Sequence, residues 1–206
     1  MPRRRSAAET RTPPEELRPR GQRTRSRLLE SGAAVFADRG YHAARVDDIV
    51  KLAQTSHGTF YLYFTNKEEL LRALAEVTAD HLAGLTERLP VLTRGPDGLA
   101  ALTDWMAEFG RLYVEAGPVL QAWSEAEIVG NDVGKLAATV WSALTNALVE
   151  RIGATSPVDL DPTVAALALV AMIERANYYV LAGHLDVDGD AMAHTLAGIT
   201  QRAVFR

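Results

Sequence analysis

The chain has 206 residues, an apolar fraction of 48%, a formal net charge of −4 and no cysteine. This is enough for one domain, or for a small module joined to a larger one, with a sizeable core. The composition excludes a disulfide framework and a thiolate metal site, and no apolar run of the roughly 18 residues needed for a membrane span is expected.

The average charge conceals a division. Residues 1–67 hold 13 basic and 7 acidic side chains, whereas the remainder holds 9 and 19. A basic end on an acidic body points to a polyanion met by one end only. The first residues, "MPRRRSAAETRTPPEELRPR", carry arginines but no apolar segment of the kind an export signal requires. Residues 1–20 are therefore expected to be a disordered basic tail.

From Gly21 the pattern turns helical: Leu28, Leu29, Val35 and Phe36 recur at helical spacing, and Gly40 stands where that helix should stop. A short helix fits Val46–Ala53, with Asp47 and Asp48 in its first turn, where the helix dipole favours negative charge. After Gln54 comes a second short segment in which small polar residues precede four aromatics, Phe60, Tyr61, Tyr63 and Phe64. Asn66 and Glu69 then have the spacing of a capping box opening a longer helix to about Leu89.

"PVLTRGPDG" is the clearest break. Beyond it, helices are predicted near Leu99–Glu115, Pro118–Val129, Asp132–Ile152, Pro162–Ala182 and Gly189–Val204. No segment sustains the alternation of a strand. The predicted fold class is all-α, with a three-helix N-terminal module over 21–67 and a larger helical domain over 68–206.

Two short helices separated by three residues form a helix-turn-helix, whose second helix can lie in the major groove of DNA. This accounts for the mixed aromatic segment. Small residues at its start let the backbone approach base edges and phosphates, and Thr55 or Ser56 can cap it. Gly58 presents no side chain to a phosphate. Phe60 and Phe64, one turn apart, can anchor the helix to the core, leaving Tyr61 and Tyr63 to offer hydroxyls to phosphates. Lys67, at the start of the next helix, adds a backbone charge contact.

"VDDIVKLA" and "GTFYLYFTNKEEL" resemble the TetR family of bacterial transcription regulators, over roughly Arg23–Leu74. The resemblance implies DNA-contact roles for Arg45, Thr55, Ser56, His57, Gly58, Thr59, Tyr61, Tyr63 and Lys67. It also implies a palindromic operator in double-stranded DNA, a C-terminal domain binding a small effector, and a homodimer formed through the last two helices. Four positions depart from the family pattern. Gln54 replaces the usual turn glycine, at about 1–2 kcal/mol if the residue is left-handed. Thr55 replaces a usual valine, His57 a common lysine and Arg45 a usual threonine, so the operator need not be the usual one.

For an effector, aromatic and polar residues of the middle helices are the candidates. Trp105, Phe109 and Tyr113 share one helical face, Trp123 and Glu127 are one turn apart, and Trp141 sits on the longest helix. Arg175 and Asn177 interrupt an otherwise apolar helix. On the last helix, Met192, Leu196, Ile199 and Ala203 form a stripe suited to pairing two chains.

No catalytic motif is present, and the histidines are scattered without ligand spacing, so neither an enzyme nor a metal or cofactor protein is expected. The expectation is a cytoplasmic, ligand-responsive, DNA-binding regulator, acting as a repressor released by a hydrophobic or amphipathic molecule, with no membrane partner. The rival is a carrier of apolar ligands whose helix-turn-helix is vestigial.

Overall fold

The structure is a computed structural model that describes residues 18–126, 131–155, 160–181, 183 and 186–205. All regular structure among them is helical. The order is α1 Pro19–Ala43, α2 Val46–Leu52, α3 His57–Tyr63, α4 Lys67–Glu87, α5 Pro96–Ala126, α6 Asn131–Thr155, α7 Pro162–Leu181 and α8 Gly189–Val204. The all-α expectation holds. The tail expected over 1–20 lies outside the described residues up to position 17, and α1 has begun by Pro19.

Two compact units divide the chain. The first takes the described residues up to Ala75 and the end of α5 from Pro118; the second takes Glu76–Gly117 and the described residues after 130. In the first unit Leu28 and Phe36 of α1, Ile49 of α2, Phe60 of α3 and Leu70 of α4 form a continuous core, joined by Val119 and Ala122. Local signals set the helix ends. Pro19 occupies the first turn of α1, where a missing N–H costs nothing. Gly40 breaks that helix with φ 73°, a left-handed backbone that an L side chain resists.

At the start of α4, Asn66 Oδ1 accepts the Glu69 N–H at 2.9 Å, half of the expected capping box. The Glu69 carboxylate turns instead to Thr65, accepting its N–H at 2.6 Å and its hydroxyl as well. The box closes one residue early because Thr65 offers both a backbone and a side-chain donor.

The second unit differs from expectation at one place. Two helices were predicted across Pro118, yet α5 runs through it. A proline strains the preceding residue through that residue's Cβ, and Gly117 has none. A Cβ there would also stand 2.6 Å from Leu181 Cδ1 of α7. The carbonyl left without its N–H partner belongs to Val114, an exposed residue that water can reach.

α6 packs along α7. Against expectation, α7 is long and apolar enough to cross a membrane by length and composition. Its inward side, Ala166, Leu169, Val170 and Ile173, is buried, yet Val164 and Leu167 point outward at 65% and 61% exposure. Two apolar sides make the helix read as a span.

Candidate nucleic-acid interface

The turn between α2 and α3 is built by hydrogen bonds that the sequence at this position does not favour. Gln54 is left-handed, with φ 51°. Its N–H donates to Lys51 O at 3.2 Å, and the Thr55 N–H donates to Val50 O at 3.0 Å. These are the paired bonds of a Schellman end, which ordinarily places glycine at that residue. The backbone geometry of the motif is retained at the strain cost of about 1–2 kcal/mol expected for Gln54.

Ser56 is the cap of α3: its Oγ accepts the Thr59 N–H at 3.1 Å and lies 3.0 Å from the Thr59 hydroxyl. Thr55 stands one residue too early and is half-buried. Phe60 and Phe64 enter the core with ring centroids 5.7 Å apart, at 0% and 2% exposure. They fix the rotation of the helix. Ser56, His57, Gly58 and Tyr61 are therefore turned outward, Thr59 and Tyr63 are half-buried, and Arg45 is exposed at the start of α2.

Leu62 is not among the residues that the sequence motif singles out. It is 69% exposed, the most exposed of the large apolar side chains in this unit. The signal was available: two residues beyond Phe60 in a helix is the opposite side of the rod from the buried rings. An aliphatic group there suits contact with a thymine methyl.

Two ion pairs brace α2. Arg39 Nη1 of α1 meets Asp48 Oδ2 at 3.0 Å. His57 Nε2 of α3 contacts Asp47 Oδ1. The second pair is exposed on both sides, so its stabilising effect is small, about 0–1 kcal/mol. It does give His57 a carboxylate partner on the face expected to meet DNA.

Lys67 is placed differently from a free surface lysine. Its Nζ donates to Tyr41 O at 2.8 Å, His42 O at 3.1 Å and Ala44 O at 3.2 Å, and lies 4.6 Å from the Tyr41 ring centre. Burial, with Glu68 adding to it, pushes the Tyr41 hydroxyl up to about 12, so it stays protonated under this cation. Arg20, Arg23 and Arg27 are exposed along one side of α1, giving the module its excess positive charge.

In the second unit the expected aromatic face is real. Trp105 stacks on Phe109 with centroids 5.7 Å apart; Tyr113 and Trp141 lie 5.9 Å and 6.4 Å from Phe109. Their polar atoms are engaged. Trp105 Nε1 donates to Leu85 O at 2.9 Å, and the Tyr113 hydroxyl donates to Glu174 Oε1 at 3.1 Å. Burial, then the Glu174 charge, raises the Tyr113 pKa far above its ordinary value. Asn177 is buried and donates to Ile173 O at 2.8 Å. Arg175 is exposed, with its Nε 3.7 Å from Glu174 Oε2 and its guanidinium 4.9 Å from the Tyr178 ring centre. The Trp123 side chain and Glu127 lie outside the described residues. A surface cleft of about 670 Å³ shares only Trp105 with the expected effector residues and is otherwise lined largely by charges, among them Arg88, Glu108 and Arg111.

A family model described as bacterial regulatory proteins of the tetR family matches residues 28–74. The chain is 38% identical over 73 residues to the uncharacterized HTH-type transcriptional regulator YdgC of Bacillus subtilis, a match covering 35% of this chain and 37% of that one. It is 36% identical over 92 residues to the HTH-type transcriptional activator FasR of Mycolicibacterium smegmatis, covering 44% of this chain and 42% of that one. These matches therefore span under half of either relative's length. The fold extends further. The transcriptional regulator FadR from Bacillus subtilis, solved in complex with stearoyl-CoA, superposes on 85% of this chain and 96% of its own, with a TM-score of 0.63 at 18% identity. Motif and family model thus agree that residues 28–74 match the tetR family of bacterial regulatory proteins, and beyond them the likeness is one of fold.

Proposed function

We propose that this protein is a homodimeric, ligand-responsive transcription regulator of the bacterial cytoplasm, reading a palindromic operator through α3. The observation that carries the reading is the division of labour within that helix. Phe60 and Phe64 are spent on the core, while His57, Tyr61 and Leu62 are left to solvent beside a capped, glycine-bearing start. A seven-residue helix with one buried side and a mixed polar and apolar outer side has the proportions of a groove reader.

The roles assigned are graded by placement. Arg45, Ser56, His57, Gly58, Thr59, Tyr61 and Tyr63 line or border the outward side. Leu62 joins them as a base contact. Thr55 is half-buried behind the cap and supports the turn. Dimerisation through α7 and α8 is supported by the outward apolar residues Val164, Leu167 and Ile199, which a partner would cover. The stripe expected on α8 is divided: Leu196 is committed to the chain's own core, leaving Ile199 and Ala203 outward.

The effector is proposed to be a long apolar or amphipathic molecule admitted beside Trp105, Phe109, Tyr113 and Trp141, with Glu174 and Asn177 supplying polar groups. The stearoyl-CoA in the FadR structure supports that class. Arg175 remains a candidate for the approach to that region, while Trp123 and Glu127 stay candidates from the sequence alone. Repression is the simpler outcome, since occupying a promoter needs no polymerase contact. The FasR relative is an activator, which makes activation the second reading.

The test is a binding assay between the full chain and the DNA upstream of its own gene, with a scrambled duplex beside it. Palindrome preference and a steep salt dependence are expected, with release by stearoyl-CoA or shorter acyl-CoAs. Equal, weak binding to both duplexes would favour the apolar-ligand carrier. Placing the recovered site before a reporter gene then separates repression from activation.

A further inference from the structure

We propose that Lys67 is a clamp that positions the helix-turn-helix, and not a phosphate contact. A lysine ammonium has three N–H donors and no acceptor. Three carbonyl oxygens, those of Tyr41, His42 and Ala44, lie 2.8, 3.1 and 3.2 Å from Lys67 Nζ. The donor capacity is saturated. The Tyr41 ring, 4.6 Å away, closes a fourth side of the cation. A phosphate oxygen could be bound only by giving up one of these bonds.

The carbonyls belong to Tyr41 and His42, in the last turn of α1 beyond the kink at Gly40, and to its C-cap Ala44. A helix C-terminus carries the negative end of the macrodipole and favours a cation. By gathering them, Lys67 ties the start of α4 to the residues that lead directly into α2. Arg45, whose backbone begins α2, follows Ala44 immediately. The clamp therefore sets where α2 starts, and through the short Gln54 turn where α3 points. The inference rests on the DNA-binding reading, but its geometry does not.

Two variants and a spectroscopic measurement test it, all on the full chain. For Lys67→Met, which keeps the apolar stem, and for Lys67→Arg, thermal unfolding is measured together with operator affinity across a series of salt concentrations. A phosphate contact contributes a slope of about 0.9 in log K against log salt for each site, about 1.8 for two protomers. The clamp predicts a lowered melting temperature and roughly tenfold weaker binding for Lys67→Met, with an unchanged slope. Lys67→Arg should rescue neither, because a planar fork does not fit three converging carbonyls. A slope reduced by about 1.8 in Lys67→Met overturns the proposal whatever happens to stability. Should the variants fail to fold, nitrogen NMR of the wild-type Lys67 ammonium decides. Its signal should keep its shift when DNA is added, and a coupling to phosphorus would overturn the clamp. If the wild-type chain binds no duplex at all, the regulator reading fails, while the loss of thermal stability in Lys67→Met still tests the clamp.

Discussion

The two units use aromatic residues in opposite ways. In α3 the rings are divided, with Phe60 and Phe64 inside and Tyr61 at 51% exposure outside. In the second unit Trp105, Phe109 and Tyr113 are all buried, stacked along one side of α5, with their polar atoms tied to Leu85 and Glu174. On the proposed reading, the first arrangement separates stability from recognition within one short helix. The second merges them, because the residues that would receive an effector are the ones that fill the core. A contact on α3 can thus be changed without unfolding the module, whereas a change in the aromatic column alters packing and ligand together.

The sharpest way to break this comparison is to exchange an inward ring for a small residue. Phe60→Ala should cost about 3–5 kcal/mol, because it empties a fully buried site, and should unfold the module at physiological temperature. Urea denaturation followed by far-UV circular dichroism checks it, and a cost below 1 kcal/mol would show that the ring is not an anchor. Next in size is the outer side of α7. Leu167→Glu at its exposed centre should weaken self-association roughly 100-fold with little effect on the isolated chain's stability. Sedimentation at micromolar concentration reads this directly, and an unchanged assembly would place the dimer elsewhere.

Tyr113→Phe sharpens the contrast within the second unit. It leaves the Glu174 carboxylate without its hydroxyl donor in a partly buried place, at about 1–2 kcal/mol. The same change should alter acyl-CoA binding, where a pure contact residue would leave stability alone. The smallest effect is expected at the turn. Gln54→Gly relieves a positive φ but loosens the unfolded chain, for a net gain of about 0.5–1 kcal/mol. A stability loss there would mean the side chain has a role that its backbone angle does not reveal.

Much of this is legible in the amino-acid sequence. Thr55 or Ser56 and Asn66 mark two helix starts, of which Ser56 proves the cap of α3, Gly40 marks a helix end, and the spacing of Phe60 and Phe64 an inward face. These are local signals, carried by residues within one turn of each other. What escaped was non-local. Pro118 reads as a helix start because the closeness of Gly117 to Leu181, 64 positions away, is invisible in the sequence. Lys67 looked like a surface charge because its partners lie 23 to 26 residues earlier. α7 is apolar on two sides, and composition alone does not say that one of them faces outward.

The most direct test of the central claim is a paired measurement on Tyr61→Ala/Leu62→Ala, which strips the two exposed large hydrophobic side chains from α3. Fluorescence anisotropy with the selected operator and a melting curve are recorded on the same preparation. The account predicts at least tenfold weaker operator binding with a melting temperature within about 2 °C of the wild type, as surface substitutions seldom move stability further. Undiminished affinity would contradict it, because the outward side of α3 would then not be the surface that meets DNA.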